Sequence, residues 1–294
     1  MPTLTRTRLA HRVAGRRTLV TGASGAIGRQ LAVLLGGAGA HLILLGRDPE
    51  ALRETARQVP DTAAAVRVAP LDLTVHEDVT AFTKKLTADL GGVDILVNNA
   101  GRSIRRGTAH ATDRPHDYRR TMAVNYFGAV DLTLGLLPGM RERGHGHIVN
   151  VTTIGLQLGM SRFTAYNPSK AALEAFGQSL APELRREGVA VSTVHLPLVR
   201  TRMSAPTTAF ARLPALDPRQ AARMIATALV TGRPRVSTRL GTVGELLGVA
   251  APRVRLALGA LEYRHLPESP RSARTAAHTP PTDRSRTDPT GPDG

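Results

Sequence analysis

Tyr166 and Lys170 stand four positions apart in "YNPSK", at the start of a stretch, "AALEAFGQSL", with helical patterning. On an α-helix, positions i and i+4 lie one above the other on the same face, so the phenol and the ammonium share one small volume. That geometry suits proton transfer, although an ordinary helix start shows the same spacing. Far upstream, "TGASGAIG" (21–28) supplies a second kind of chemistry. Its glycines permit a tight turn and close backbone approach, and a helix N-terminus behind them offers N–H donors to a pyrophosphate.

Two further segments bear on a dinucleotide. The stretch "LLGRD" places Gly46 where a carboxylate would bind a ribose 2′-hydroxyl, and follows it with Arg47. A planar cation there favours a 2′-phosphate, hence NADP(H) over NAD(H), with Asp48 next door as the opposing feature. Asp72 closes "PLDL" where it meets an adenine, or else caps the following helix.

The elements that must hold these residues alternate in type. Apolar runs at "RTLVT", "AHLILLG", "AAVRVAPLDL", "VDILVNN", "GHIVNVTT" and "VAVSTVHLPL" read as six strands, with amphipathic stretches between them as helices. The longest of these is a single helix over residues 115–144. This alternation predicts an α/β fold, a Rossmann-type doubly wound parallel sheet, with ligands beyond the carboxyl ends of the strands. After the sixth strand, "VRTRMSAPTTAFARLPAL" reads as a long lid, followed by a helix at "DPRQAARMIATALVTG".

Composition narrows the class. The 294 residues contain no Cys, which excludes disulfides and thiolate metal sites; no metal is expected, and a reducing cytoplasm fits. The basic N-terminus has no apolar h-region, and no run reaches the length of a membrane span. Net charge is +16, but aromatics are only 3%, so nucleic acid is not the expected partner; attraction for a polyanionic small molecule is. From Pro267 the composition turns to Pro, Ser, Thr, Arg and Asp, and disorder is expected. The organisation expected is one domain: a basic arm (1–14), the dinucleotide-binding and catalytic body (15–238), a helical substrate-side extension (239–266) broken at Pro252, and a tail (267–294).

"TGASGAIG", "NNAG" (98–101), "VNYFG" (124–128), "IVNVTTIG" (148–155) and "YNPSK" together resemble the motif set of the classical short-chain dehydrogenase/reductase family, in its order, over about residues 15–205. The resemblance implies a catalytic tetrad at Asn125, Thr153, Tyr166 and Lys170. Tyr166 is then the general acid in carbonyl reduction, its pKa lowered toward working pH by Lys170 and the oxidised nicotinamide; Lys170 holds the nicotinamide ribose, and Asn125 positions a water. It also implies cofactor contacts at Gly22, Ser24, Gly25, Ile27, Gly28, Arg47, Asp72, Leu73, Asn98, Ala100, Val199 and Thr201, besides Tyr166 and Lys170, and a dimer or tetramer built on the helices near Pro115 and Tyr166.

Three departures stand out. Thr153 replaces the family's serine, keeping the hydroxyl while adding a methyl that restricts it. Ala26 takes the place of the middle glycine of the first motif. Leu196-Pro197 replaces a Pro-Gly pair. The stretches "HLPLVRTRMSAPT", "GRPRVSTRLG" and "LEYRHLPES" are similar to bacterial fatty acyl-CoA reductases, which implies NADPH-dependent reduction of a long acyl thioester to an aldehyde. Met203, Phe210, Leu213 and Leu216 would then form an apolar entrance, and Arg200, Arg202 and Arg212 would meet phosphates. Other readings are a ketoreductase or alcohol dehydrogenase for another lipid-like, polyketide or steroid substrate, and a catalytically weak NADP-binding regulator. The amphipathic C-terminal pieces allow peripheral membrane contact.

Overall fold

The computed structural model describes residues 4–266; the tail expected to be disordered lies outside them. Its strands are β1 (Arg17–Thr21), β2 (His41–Gly46), β3 (Ala65–Pro70), β4 (Ile95–Asn98), β5 (Gly146–Thr153), β6 (Val189–Leu196) and a short β7 (Arg235–Val236). All pair in parallel in the order β3-β2-β1-β4-β5-β6-β7. The winding reverses between β1 and β4, opening a crevice at their carboxyl ends.

Period-two alternation divides each strand between two cores. In β2, Leu42 and Leu44 enter one core with Leu31 and Leu35 of α2 (Ala26–Gly36) and Ile225 and Leu229 of α9 (Pro218–Thr231). Ile43 and Leu45 enter the other, with Val79 of α4 (His76–Leu90), Leu132 and Leu136 of α6 (Gly128–Glu142) and Leu180 of α8 (Tyr166–Leu184). Burial on both faces explains why these strands read as continuous apolar runs.

The N-terminal segment, expected as an arm, is a helix: α1 (Arg6–Val13) starts from the Thr5 cap and puts Leu9 and Val13 into the first core. Arg12 fastens it by donating to the carbonyl of Leu229 at 3.1 Å. The helix expected over 115–144 is broken into α5 (Pro115–Met122), a π-turn (Ala123–Phe127) and α6. Sequence periodicity also overlooked β7 and the one-turn helix α7 (Gly155–Leu158), each too short to carry a pattern. The remaining helices are α3 (Pro49–Arg57), α10 (Arg239–Ala250) and α11 (Pro252–His265).

At the amino ends of the strands, Asp94 ties the sheet centre together. It accepts from the Arg17 backbone N–H at 2.9 Å and from the guanidinium at 2.7 and 3.0 Å. Burial opposes its ionisation, but these Arg17 hydrogen bonds win and hold the carboxyl below the ordinary carboxylate range. Its stabilisation is therefore present above the unfolded-state pKa near 4 and disappears as pH falls through the depressed folded value. Asp94→Asn should cost about 2 kcal/mol in urea denaturation at neutral pH, and its stability deficit should shrink as the medium is acidified.

Candidate active site

The crevice is built from very close backbone approach. Gly22 has φ of +65°, and a Cβ on it would lie 2.9 Å from the Cα of Ala100. A Cβ on Gly28 would lie 2.3 Å from the Gly22 carbonyl oxygen, so α2 starts directly against the turn. Gly25 caps α2 with no side-chain bond, leaving the first helical N–H groups facing the crevice. Thr21 joins the two sides: its Oγ1 accepts from the backbone N–H of Asn99 (2.9 Å) and of Ala100 (2.8 Å). Asn99 answers through Nδ2, donating to the Thr21 carbonyl at 2.9 Å. Asn99, at the second position of "NNAG", was missing from the residues read off the sequence.

The resulting groove has a volume of about 1200 Å³. Gly22, Ser24, Gly25, Ile27, Gly28, Arg47, Asp72, Leu73, Ala100 and Thr201 all line it. Asn98, Val199, Tyr166 and Lys170 are not among its lining residues. Asn98 is buried behind the crevice, donating to Asn150 Oδ1 at 2.9 Å and Thr133 Oγ1 at 3.2 Å, so its side chain braces strands instead of facing a ligand. Val199 packs into the first core and bridges Leu216.

Both carboxylates near the groove resolve into definite roles. Asp48 caps α3, accepting from the backbone N–H groups of Glu50 and Ala51 at 3.0 Å, which leaves Arg47 as the charged group lining the groove after β2. Asp72 is not the cap of α4, a position held by Val75; it accepts from the backbone and hydroxyl of Thr74.

Arg29, Arg102, Arg119, Arg120 and Arg202 line the groove alongside Arg47, against Asp72 as its sole acid. None of the six is ion-paired among the described residues, and burial followed by repulsion from Arg120 and Arg47 lowers the pKa of Arg102. Clustered unneutralised cations beside a glycine cradle fit a polyphosphate. The sequence carried the signal in "NNAGR" and "YRRT", but nothing in it shows that two distant segments face one groove.

The reactive end lies where β5 and α8 meet the π-turn. Lys170 is buried and donates to the Val151 carbonyl at 2.9 Å; burial pushes its pKa down to about 8. A Cβ on Gly101 would be 3.3 Å from both Lys170 Nζ and Asn125 Oδ1, so glycine keeps this corner open. Asn125 accepts from the Arg102 N–H at 2.7 Å and donates to the Arg102 carbonyl (2.9 Å) and Ser169 Oγ (2.8 Å). Both its amide hydrogens are thus engaged, and the side chain itself has none left for the water expected from the sequence.

Thr153 Oγ1 accepts from Gly155 N–H at 3.1 Å. The sequence reading expected Lys170 and the oxidised nicotinamide together to lower the phenol pKa. In the protein alone, burial pushes Tyr166 up to about 12, outweighing Thr153, which acts to lower it. Both members of the pair are desolvated, and desolvation favours each neutral form.

In the lid, Phe210 stacks on Phe163 at 6.3 Å and lies under Arg105, while Phe163 reaches the Tyr166 ring at 6.0 Å. Met203 lines the groove with Arg202. Leu216, expected at the entrance, packs against the core instead. Arg200 and Arg212 are exposed and do not line the groove.

The family model for short chain dehydrogenase matches residues 16–211. A fatty acyl-CoA reductase of Acinetobacter baylyi is 39% identical over 257 residues, 87% of each chain. Among solved structures, a short-chain dehydrogenase from Streptomyces avermitilis superposes with a TM-score of 0.72 at 31% identity, covering 85% of this chain and 98% of that one. A metagenomic short-chain oxidoreductase in complex with NADP gives 0.67 at 29% identity, covering 77% and 98%. Gly101→Ala should leave the melting temperature nearly unchanged yet lower turnover about tenfold, because Lys170 and Asn125 must both shift; steady-state kinetics beside a thermal melt checks this.

Proposed function

The chain belongs to the short-chain dehydrogenase family, an oxidoreductase family that uses nicotinamide cofactors, and we propose that it is an NADPH-dependent reductase of a fatty acyl-CoA, giving the aldehyde. The observation that carries the reading is the groove of arginines that lack ion pairs among the described residues, whose lining Gly101 lies against Lys170 on the helix that Tyr166 opens. Support for the substrate comes from the name and coverage of the Acinetobacter relative. A homo-oligomer formed through α5, α6 and α8 and working in the cytoplasm fits this reading, and Phe127 and Leu134 expose apolar side chains on that side.

The Gly22–Gly28 turn would hold the pyrophosphate, Asp72 and Leu73 the adenosine, and Arg47 the 2′-phosphate, with Arg102 and Arg120 adding positive potential. When bound, the reduced nicotinamide supplies hydride to the carbonyl carbon. The rest falls to the protein. Thr153 and Tyr166 hydrogen-bond the carbonyl oxygen, and Tyr166 gives it a proton as the new C–H bond forms. When the C=O bond re-forms and the C–S bond breaks, that proton leaves with the coenzyme A thiol. Lys170 holds the ribose hydroxyls, and its positive charge stabilises the phenolate left behind.

A phenol near 12 remains protonated throughout the neutral range, the state a proton donor requires. The ketoreductase reading shares the hydride and proton transfer but stops at the alcohol, with no C–S bond to break. The regulator reading rests on Thr153 in place of the family's serine, a residue that keeps the hydroxyl.

Loss of NADPH absorbance with acyl-CoAs of increasing chain length, beside matching ketones, tests the proposal. Turnover of a long acyl-CoA that falls about 10²–10⁴-fold in Tyr166→Phe is expected. Ketone-only turnover would move the protein to the ketoreductase reading; silence with intact NADPH binding would return it to the regulator. Arg47→Asp should lower kcat/KM for NADPH about tenfold or more while sparing NADH. Reduction should be level below neutrality and decline above about pH 8, as Lys170 loses its proton; Lys170→Arg, which stays charged, should remove that decline.

A further inference from the structure

Helices α10 and α11 face the wrong way for a soluble surface. An amphipathic helix normally turns its large apolar side chains to the core. In α10 the small residues point inward: a Cβ on Gly241 would lie 2.1 Å from Gln157 Oε1, and one on Gly244 2.3 Å from Leu158 Cδ2. Four of its five large apolar side chains, Leu240, Val243, Leu246 and Val249, point outward, with Val249 81% exposed, while Leu247 is half-buried. Helix α11 has no buried residue at all.

Polar bonds hold this pair of helices to the body. Glu245 accepts from Gln157 at 3.1 Å and pairs with Arg235. Glu262 accepts from the backbone and hydroxyl of Ser161, and Tyr263 lies 3.8 Å beneath the Arg162 guanidinium. Nine of the thirteen large apolar side chains exposed among the described residues fall between Leu240 and Tyr263. Such a concentration marks a surface that meets an apolar partner.

The charges identify the partner. Arg239, Arg253, Arg255 and Arg264 are exposed on these helices and lack ion pairs among the described residues, while both glutamates are engaged inward. Beside α11 lies a hollow of about 530 Å³ lined by Leu256, Ala260 and Tyr263 together with Arg255 and Arg264, apolar walls with cations on them. Residues 267–294 contain no Val, Leu, Ile, Met or aromatic residue, so they supply no apolar cover. A second copy of this face would bring arginine against arginine in a chain whose net charge is +16. An anionic lipid surface accepts both the apolar side chains and the cations.

We propose that α10 and α11 form the face with which this protein docks on an anionic lipid bilayer, leucines and valines in the headgroup boundary and arginines on the lipid phosphates. The face is separate from the groove and independent of which carbonyl is reduced. Among the described residues no helix is long and apolar enough to cross a membrane, so the contact is peripheral.

Flotation of the full chain with vesicles tests this. The protein should rise with vesicles of equal phosphatidylcholine and phosphatidylglycerol, and at least about tenfold less with phosphatidylcholine alone. Leu246→Asp with Leu256→Asp should lower partitioning on the mixed vesicles about tenfold, and Arg253→Glu with Arg264→Glu should do so through charge alone, with unchanged melting and NADPH binding. Absence of flotation on the mixed vesicles, or equal flotation of both variants, overturns the proposal. So does a smaller particle by light scattering for the leucine variant in the absence of lipid, which would make the face a contact between copies.

Discussion

Everything at the groove depends on how closely two strand ends can approach at the point where the sheet changes direction. The Gly22 backbone sits against Ala100 with no room for a methyl group, and the Thr21 hydroxyl receives two backbone N–H groups from across the gap. That knot fixes the glycine turn relative to "NNAG". From there Gly101 leads to Lys170 and Asn125, so the phosphate-binding and proton-transfer ends share one rigid reference. Neither moves independently of the other, because the N–H groups of Asn99 and Ala100 are bonded to Thr21 and that of Arg102 to Asn125.

The chemistry at the reactive corner is governed by desolvation more than by attraction between charges. Desolvation pushes both the phenol and the ammonium toward neutrality, and Lys170 keeps a hydrogen bond to the Val151 carbonyl. A resting site in that state is biased toward giving a proton. The cationic groove has the opposite character: six arginines with no ion-paired counter-charges among the described residues store repulsion that an incoming polyanion relieves. Fold and ligand affinity are thus in tension in the groove, and a chain of this net charge gains from filling it.

Much of this was legible in the sequence because the groove is made of local motifs. The glycine turn, Arg47 and the Tyr166–Lys170 pair lie within short segments whose spacing alone fixes the geometry. The failures have a common cause, which is that burial and partner choice are set by distant segments. Asn98 and Asn99 are adjacent and chemically identical, yet one braces β4 against β5 and the other ties the switch point. Asp48 and Asp72 exchange the expected capping role because Pro49 starts a helix directly after Asp48, whereas Asp72 is followed by a turn. Leu216 faces the core because the chain returns to pair with Val199, a contact between residues seventeen apart. The outward leucines of α10 are amphipathic by pattern, and no pattern says which side meets the body.

The π-turn at Ala123–Phe127 has a consequence for what changes the chain can tolerate. It behaves as one surplus residue wound into an otherwise continuous helix from Pro115 to Glu142. Deleting that surplus would produce a straighter and intrinsically better helix. It would also rotate everything on one side of the break by about 100° relative to the other. Asn125 could not then remain on Arg102 and Ser169 while Leu132 and Leu136 stayed in the core. The imperfect helix is therefore a phase adjuster: it lets a packing stripe and a site-facing amide coexist on one rod, and it makes the length of this segment, as much as its composition, a property under constraint.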